Sequence, residues 1–217
     1  MKDLDLWHNL YELRGSTHGH MPLTKDIIKF FTRVAKVTKP KNILEFGTNL
    51  GGSAAMQLTI NPKANLVSFD PKTWEVHSAI YSGESFIANH PKLFGKTPAV
   101  GLLHLTFGDR FTFHNRSSKW VKDLVEDKFD YAFVDGSHVY LDAYNDIQNC
   151  IDLEIPYIIV DNIATDEDAI AKRLQVKAAV ESFGDQLEEI DSVEYEIIHP
   201  ITEKVTHDKC VLFKVTC

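Results

Sequence analysis

The 217-residue chain predicts an α/β fold: a mostly parallel sheet with helices on both faces, followed by two further strands at the carboxyl end. Three observations carry that expectation. Short apolar runs typical of buried strands alternate with segments of helical period from residue 43 to 183. A glycine-rich turn, Gly47-Thr48-Asn49-Leu50-Gly51-Gly52, follows the first of those runs. The tail then departs from the β/α alternation and offers two strand-like runs in succession.

The elements follow in order. Residues 24–38 place Ile27, Ile28, Phe31, Val34 and Ala35 on one helical face, with Thr24 as N-cap and Pro40 as stop. Ile43 to Phe46 reads as the first strand, about 52–58 as a helix, and Asn65 to Phe69 as the second strand, joined by a right-handed crossover. Further strands are expected at 111–114, 129–134 and 156–160, with helices at 118–126, 139–152 and 166–183. The closing pair is Val193 to Ile198 and Cys210 to Val215. Between Asp70 and Phe111 lie 40 residues, more than one crossover needs; they read as a helix around 74–89 and an insertion around 82–110 that covers the site. The organisation is an N-terminal helical extension and flap, 1–40, followed by one domain, 41–217.

Composition narrows the partners. A net charge of −8, without a run of Lys or Arg, opposes sliding on nucleic acid or docking on anionic lipid. No 18 apolar residues run together and the opening MKDLDLWHNL has no signal-like core, so the expectation is a cytoplasmic protein acting on a small molecule, away from membranes and nucleic acid. The sequence leaves self-association open. Cys150, Cys210 and Cys217 lack CxxC spacing and read as reduced thiols without an assigned role.

The chemistry is expected where strands end, since open α/β sheets bind ligands at their carboxyl edge. Gly47 and Gly51 allow a sharp bend and a close approach of backbone N–H groups to a ligand at the start of the following helix. The spacing, ExGxxxG, differs from the GxGxxG that seats a pyrophosphate, and Glu45 stands where a cationic ligand group is welcome. Asp70 ends the second strand, where an acid can accept hydrogen bonds from both hydroxyls of a ribose; the alternative is that it only starts a turn before Pro71. Asp135-Gly136-Ser137-His138 ends the fourth strand and Asp161-Asn162 the fifth. Neighbouring parallel strands lie about 4.8 Å apart, so Asp135, Asp161 and Asn162 can share one ion. Their oxygen donors suit Mg²⁺ or another divalent cation better than zinc. Alternatively, Asp161 and Asn162 cap the next turn and Asp135 serves only a cofactor.

Taken together, EFGTNLGGS, Asp70, FVDGSH and IIVDN resemble, in order and spacing, the catechol O-methyltransferase-like, metal-dependent O-methyltransferases, and DGSHVY is similar to the macrocin O-methyltransferase group. The resemblance spans residues 42–162 and implies a Rossmann-like class I methyltransferase fold with a seven-stranded sheet and an antiparallel C-terminal strand. It implies S-adenosylmethionine (SAM) as cofactor, contacted at Glu45, Gly47, Gly51, Ser53, Asp70 and Asp135, with Ser118 close to the residue that lines the adenine. It also implies Mg²⁺ at Asp135, Asp161 and Asn162. The catechol enzymes carry a lysine base three residues after the first of these aspartates, where this chain has His138.

His138 is the candidate catalytic base, because a neutral imidazole can take a proton from a hydroxyl near pH 7; the alternative is a histidine that merely opens the next helix. His18 and His20 are too few to hold a metal and are assigned to the N-terminal flap. Trp7, Trp74 and Trp120 read as packing anchors, with Trp74 nearest the nucleoside. The resulting expectation is methyl transfer from SAM to a hydroxyl of a small molecule, assisted by a divalent ion. Metal-independent methylation and non-catalytic SAM or nucleotide binding are the alternatives.

Overall fold

A computed structural model of the chain describes residues 24–48, 51–71, 99–165, 171–198 and 205–216. The expected helix at 74–89, His18, His20, Trp7 and Trp74 lie outside these residues.

Helix α1, Lys25–Thr38, begins where Thr24 Oγ accepts the Ile27 N–H at 3.3 Å and ends where Lys39 turns left-handed. Strand β1, Asn42–Phe46, leads through the glycine turn into α2, Gly52–Ile60, and β2, Asn65–Phe69, follows. Helix α3, Ala99–Phe107, precedes β3, Phe111–His114. A 3₁₀ turn, Ser118–Trp120, and the short α4, Val121–Leu124, lead to β4, Tyr131–Val134. Then come α5, Tyr140–Asp152, β5, Tyr157–Ala164, α6, Ala171–Glu181, β6, Leu187–Ile198, and β7, Val205–Val215.

The described strands form one seven-stranded sheet in the order β3-β2-β1-β4-β5-β7-β6. Strands β1 to β5 pair in parallel, while β7 inserts antiparallel between β5 and β6. Because successive side chains of a strand face opposite sides, the sheet has two cores. Ile43, Tyr131, Phe133 and Ile159 face one core, which α1 and α2 cover with Phe30, Phe31, Val34 and Met56. Leu44, Ala132, Val134 and Ile158 face the other, covered by Ala143 and Ile147 of α5 and Val176 and Ala179 of α6. Phe31 meets Phe133 edge-on at 5.5 Å, fixing α1 across the sheet.

Several expectations change in detail. The segment 99–107, read as insertion, is a helix whose Leu103 is fully buried. The helix expected at 118–126 is a 3₁₀ turn plus one α-helical turn. Trp120 is 45% exposed under the Lys119 ammonium, so it is no packing anchor. The closing strands run from 187 and 205 instead of 193 and 210, and β5 continues to Ala164, four residues past its expected end. Among the described residues no helix is long and apolar enough to cross a membrane.

Candidate active site

The carboxyl ends of β2, β1, β4 and β5 lie side by side, and each carries one of the polar motifs. At the centre the glycine turn leaves β1. Gly47 has φ +98°, and a Cβ there would lie 2.1 Å from the Asp135 carbonyl oxygen and 2.9 Å from Gly136 Cα. Only glycine satisfies both the backbone angle and that approach. The Gly47 N–H donates to the Phe69 carbonyl at 2.9 Å and the Asp135 N–H to the Phe46 carbonyl at 2.9 Å, so the turn is fastened to both neighbouring strands. Gly51, φ +76°, opens α2 over the side chain of Leu103, 2.7 Å from where its own Cβ would be.

Glu45 points from β1 into the core beneath this turn and is fully buried. Its Oε1 accepts from Ser53 Oγ at 2.8 Å and Gln57 Nε2 at 3.0 Å, and its Oε2 accepts from Ser68 Oγ at 2.6 Å. Thr48 meets Ser68 at 2.6 Å, and the Tyr131 hydroxyl donates to Gln57 Oε1 at 2.9 Å. One carboxylate thus ties β1, the turn, α2, β2 and, through Gln57, β4. Burial pushes the Glu45 carboxyl up to about 7, against the pull of the Ser68 and Ser53 hydroxyls. Within the chain Glu45 therefore holds the turn's shape, and Ser53, 9% exposed, is engaged by it.

At the ends of β4 and β5 the three expected metal-site residues do come together. Asn162 Nδ2 donates to Asp135 Oδ1 and to Asp161 Oδ2, both at 3.0 Å. The sequence reading set Asp161 and Asn162 at the end of the strand; the strand runs on to Ala164, and they lie within it, at a bulge where the pairing of β5 with β7 shifts between Val160 and Ile163. Asn162 adopts φ +59° there, and its amide reaches both Asp135 after β4 and its own chain neighbour Asp161. Burial raises the Asp161 carboxyl well above the usual range, and the charge of Asp135 adds to it. Asp135 is likewise raised by burial, opposed by His138 and Asn162. Behind them the Tyr195 hydroxyl of β6 donates to Asp161 Oδ1 at 2.6 Å, and Arg173 pairs with the buried Asp208 at 2.7 Å. His138 Nε2 lies 3.8 Å from Asp135 Oδ1 and is buried without a hydrogen-bond partner among the described residues.

Asp70 stands just after β2, its N–H donating to the His114 carbonyl at 3.2 Å. With its amide nitrogen turned toward them, Asn115 donates to the Asp70 and Pro71 carbonyls, each at 3.2 Å, joining the loops after β2 and β3. Ser118 lies farther along that second loop and donates to Asp146 Oδ1 of α5. Tyr195, Gln57, Ser68 and Asp146 escaped the sequence reading. Gln57 had a legible signal, as a polar residue on an otherwise apolar stretch of α2. The others become visible only through partners remote in sequence.

A glycine turn at the carboxyl edge of a β3-β2-β1-β4-β5 sheet, with acids on the neighbouring strands, marks an α/β protein of the Rossmann-like class. A family described as a methyltransferase domain matches residues 44–161, more than half of the chain, and the chain belongs to that family. No curated protein sequence matches it. Among solved structures it is similar to the O-methyltransferase TomG from Streptomyces achromogenes, involved in tomaymycin synthesis and solved with SAM. That pair shares 18% identity over 100% of this chain and 91% of the other, with a TM-score of 0.64. An O-methyltransferase from Bacillus cereus in complex with SAH is 15% identical over 99% of this chain and 91% of its own, TM-score 0.61. The SAH-bound methyltransferase PaMTH1 of Podospora anserina is 17% identical over 96% and 88%, TM-score 0.55. Likeness at these identities establishes a common fold.

Proposed function

We propose that the protein transfers the sulfonium methyl group of SAM to a hydroxyl of a small molecule, assisted by a divalent ion such as Mg²⁺. The observation that carries this reading is the packing of the glycine turn directly on the Asp135-Gly136 backbone, which sets a cofactor cradle beside the Asp135, Asp161 and Asn162 cluster. The donor set fits a hard cation. Two carboxylates that burial pushes toward protonation, Asp161 also under the charge of Asp135, gain a counter-charge from it, and the Asn162 amide has an oxygen as well as a nitrogen to offer. When bound, such an ion lowers the pKa of an acceptor hydroxyl and helps to fix its position.

The chain's own residues supply the rest. Backbone N–H groups at the start of α2 serve the cofactor's amino-acid end, and Asp70 accepts the ribose hydroxyls. Gly47 and Gly51 admit the ligand, while Glu45 and Ser53 hold the turn in that shape. His138, with an unpaired ring nitrogen beside Asp135, takes the proton of the acceptor hydroxyl. The reaction needs little else beyond orientation of the oxygen toward the methyl carbon. The Asn162 amide nitrogen, which bridges both carboxylates by itself, favours a second reading in which the cluster is self-contained and transfer is metal-independent.

Calorimetry with SAM and SAH, followed by methyl transfer to hydroxylated small molecules with and without EDTA, tests the proposal. The expected result is binding of both nucleosides at one site and turnover that EDTA abolishes and Mg²⁺ restores. Asp161→Ala should remove the metal-dependent turnover and leave SAM binding largely intact. Full turnover in excess EDTA selects the metal-independent reading, and failure to bind SAM or SAH refutes both.

A further inference from the structure

Asp161, 2% exposed, is held from behind by the last two strands of the sheet. Cys210 is the single β7 residue across from Asp161 and Asn162, because β5 carries one residue more than β7 between the Val160–Val211 and Ile163–Lys209 pairs. Its thiol, fully buried, hydrogen-bonds to Asp161. Tyr195 shares that core face from β6, one strand farther out. Two strand spacings, about 10 Å, separate β6 from β5, and the tyrosine crosses β7 to put its hydroxyl 2.6 Å from Asp161 Oδ1. A serine or threonine at that position would fall short.

The two oxygens of this carboxylate consequently face different ways. Oδ1 is turned toward β6 by Tyr195, while Oδ2 accepts from Asn162 Nδ2 at 3.0 Å, the nitrogen that also lies 3.0 Å from Asp135 Oδ1. A positive group placed between the two acids therefore meets one oxygen of Asp161 and not both. The contacts at the two oxygens are separable. Half a turn of the Asn162 amide, which brings its oxygen to the place of its nitrogen, frees Oδ2 and leaves the Tyr195 bond intact. A ligating carboxylate keeps the orientation that such an outer partner gives it. Divalent ions differ in what they require of it: Mg²⁺ demands near-octahedral geometry from single oxygens, whereas Ca²⁺ takes more ligands and readily chelates both oxygens of one carboxylate.

We propose that Tyr195 selects the ion for this cluster: by holding Oδ1 toward β6 it limits Asp161 to one ligating oxygen, which suits Mg²⁺ and disfavours Ca²⁺. The proposal rests on the divalent-ion reading above. Tyr195 is a positioning residue, acting on the ion only through Asp161. The Cys210 thiol, a weak donor to the same carboxylate, supports that orientation without fixing it.

The test follows Mn²⁺ binding to the full chain by the electron paramagnetic resonance signal of the free ion, with Mg²⁺ and Ca²⁺ added in turn as competitors. The unaltered protein should bind Mg²⁺ about tenfold more tightly than Ca²⁺, or better. Tyr195→Phe keeps the ring in the core and removes only the hydroxyl, so Oδ1 becomes free to chelate. The variant should gain Ca²⁺ affinity relative to Mg²⁺ and narrow the preference to about threefold or less. A merely structural role would change both affinities alike and leave their ratio unmoved. Ca²⁺ bound as tightly as Mg²⁺ by the unaltered protein overturns the proposal without recourse to a variant, and so does an unchanged ratio in folded Tyr195→Phe. Absence of Mn²⁺ binding to the unaltered protein is a distinct outcome, which refutes the divalent-ion reading and the proposal with it.

Discussion

Replacing Glu45 by Gln isolates the free energy of a charge sealed under the glycine turn. Its carboxyl rises from an ordinary 4.5 to about 7 on folding, chiefly through burial. The folded protein therefore keeps a proton that the unfolded chain releases, and stability falls as pH climbs from about 4.5 to about 7. At about 1.4 kcal/mol per pH unit of displacement, the full effect is about 3 kcal/mol, of which about 2–3 kcal/mol is expressed between pH 5 and pH 8. Gln at this position keeps an oxygen for Ser53 and Gln57, and its amide nitrogen can donate to Ser68 Oγ once the Ser68 hydroxyl turns to Thr48. It carries no proton to lose. Urea unfolding at pH 5, 6, 7 and 8 should show Glu45→Gln gaining on the natural protein by about 2–3 kcal/mol across that interval. Asp135, Asp146 and Asp161 are raised in the same direction, but both proteins contain them and they cancel in the difference. Parallel stability curves over the whole interval would refute the assignment of a retained proton to Glu45.

Three further outcomes can be checked directly. Asp70→Ala should weaken SAM binding by about 1.5–3 kcal/mol, ten- to more than a hundredfold in Kd, and an unchanged Kd in the folded variant would sink the ribose assignment. His138→Ala should lower turnover by about 10²–10⁴-fold with little change in SAM affinity; near-normal turnover would make the residue structural. Gly47→Ala should cost about 3 kcal/mol or more in chemical denaturation, since its Cβ would meet the Asp135 carbonyl at 2.1 Å on a backbone at φ +98°, and near-natural stability would contradict that packing.

What the sequence could reveal was whatever is written locally. The first five strands, the α1 cap at Thr24 and the glycine turn were legible because apolar period, capping chemistry and backbone freedom are properties of adjacent residues. Helix α3 was not, since AVGLLHLTF is apolar nearly all round and has no polar face to betray its period. Strand β6 was read short because Glu188, Glu189 and Asp191 interrupt the apolar signal of its first half; acids suit an edge strand, where they discourage pairing with another chain. At the site, Asp135, Asp161 and Asn162 could be placed together from strand adjacency alone. The bulge that aims them, the Tyr195 hydroxyl on Asp161, and the whole setting of Asp146 depend on partners 27 to 34 residues away in the chain.

The bulge in β5 also sets an order of events. Its shifted register exists only against β7, and the hydroxyl that steadies Asp161 comes from β6, so both depend on residues beyond 187. The glycine turn, by contrast, is fastened to strands that are complete by residue 134. As the chain leaves the ribosome, the glycine turn can form well before the acidic cluster beside it is given its final aim. Partly made chains would therefore hold the glycine turn in place before β7, long and antiparallel, gives the acidic cluster its aim.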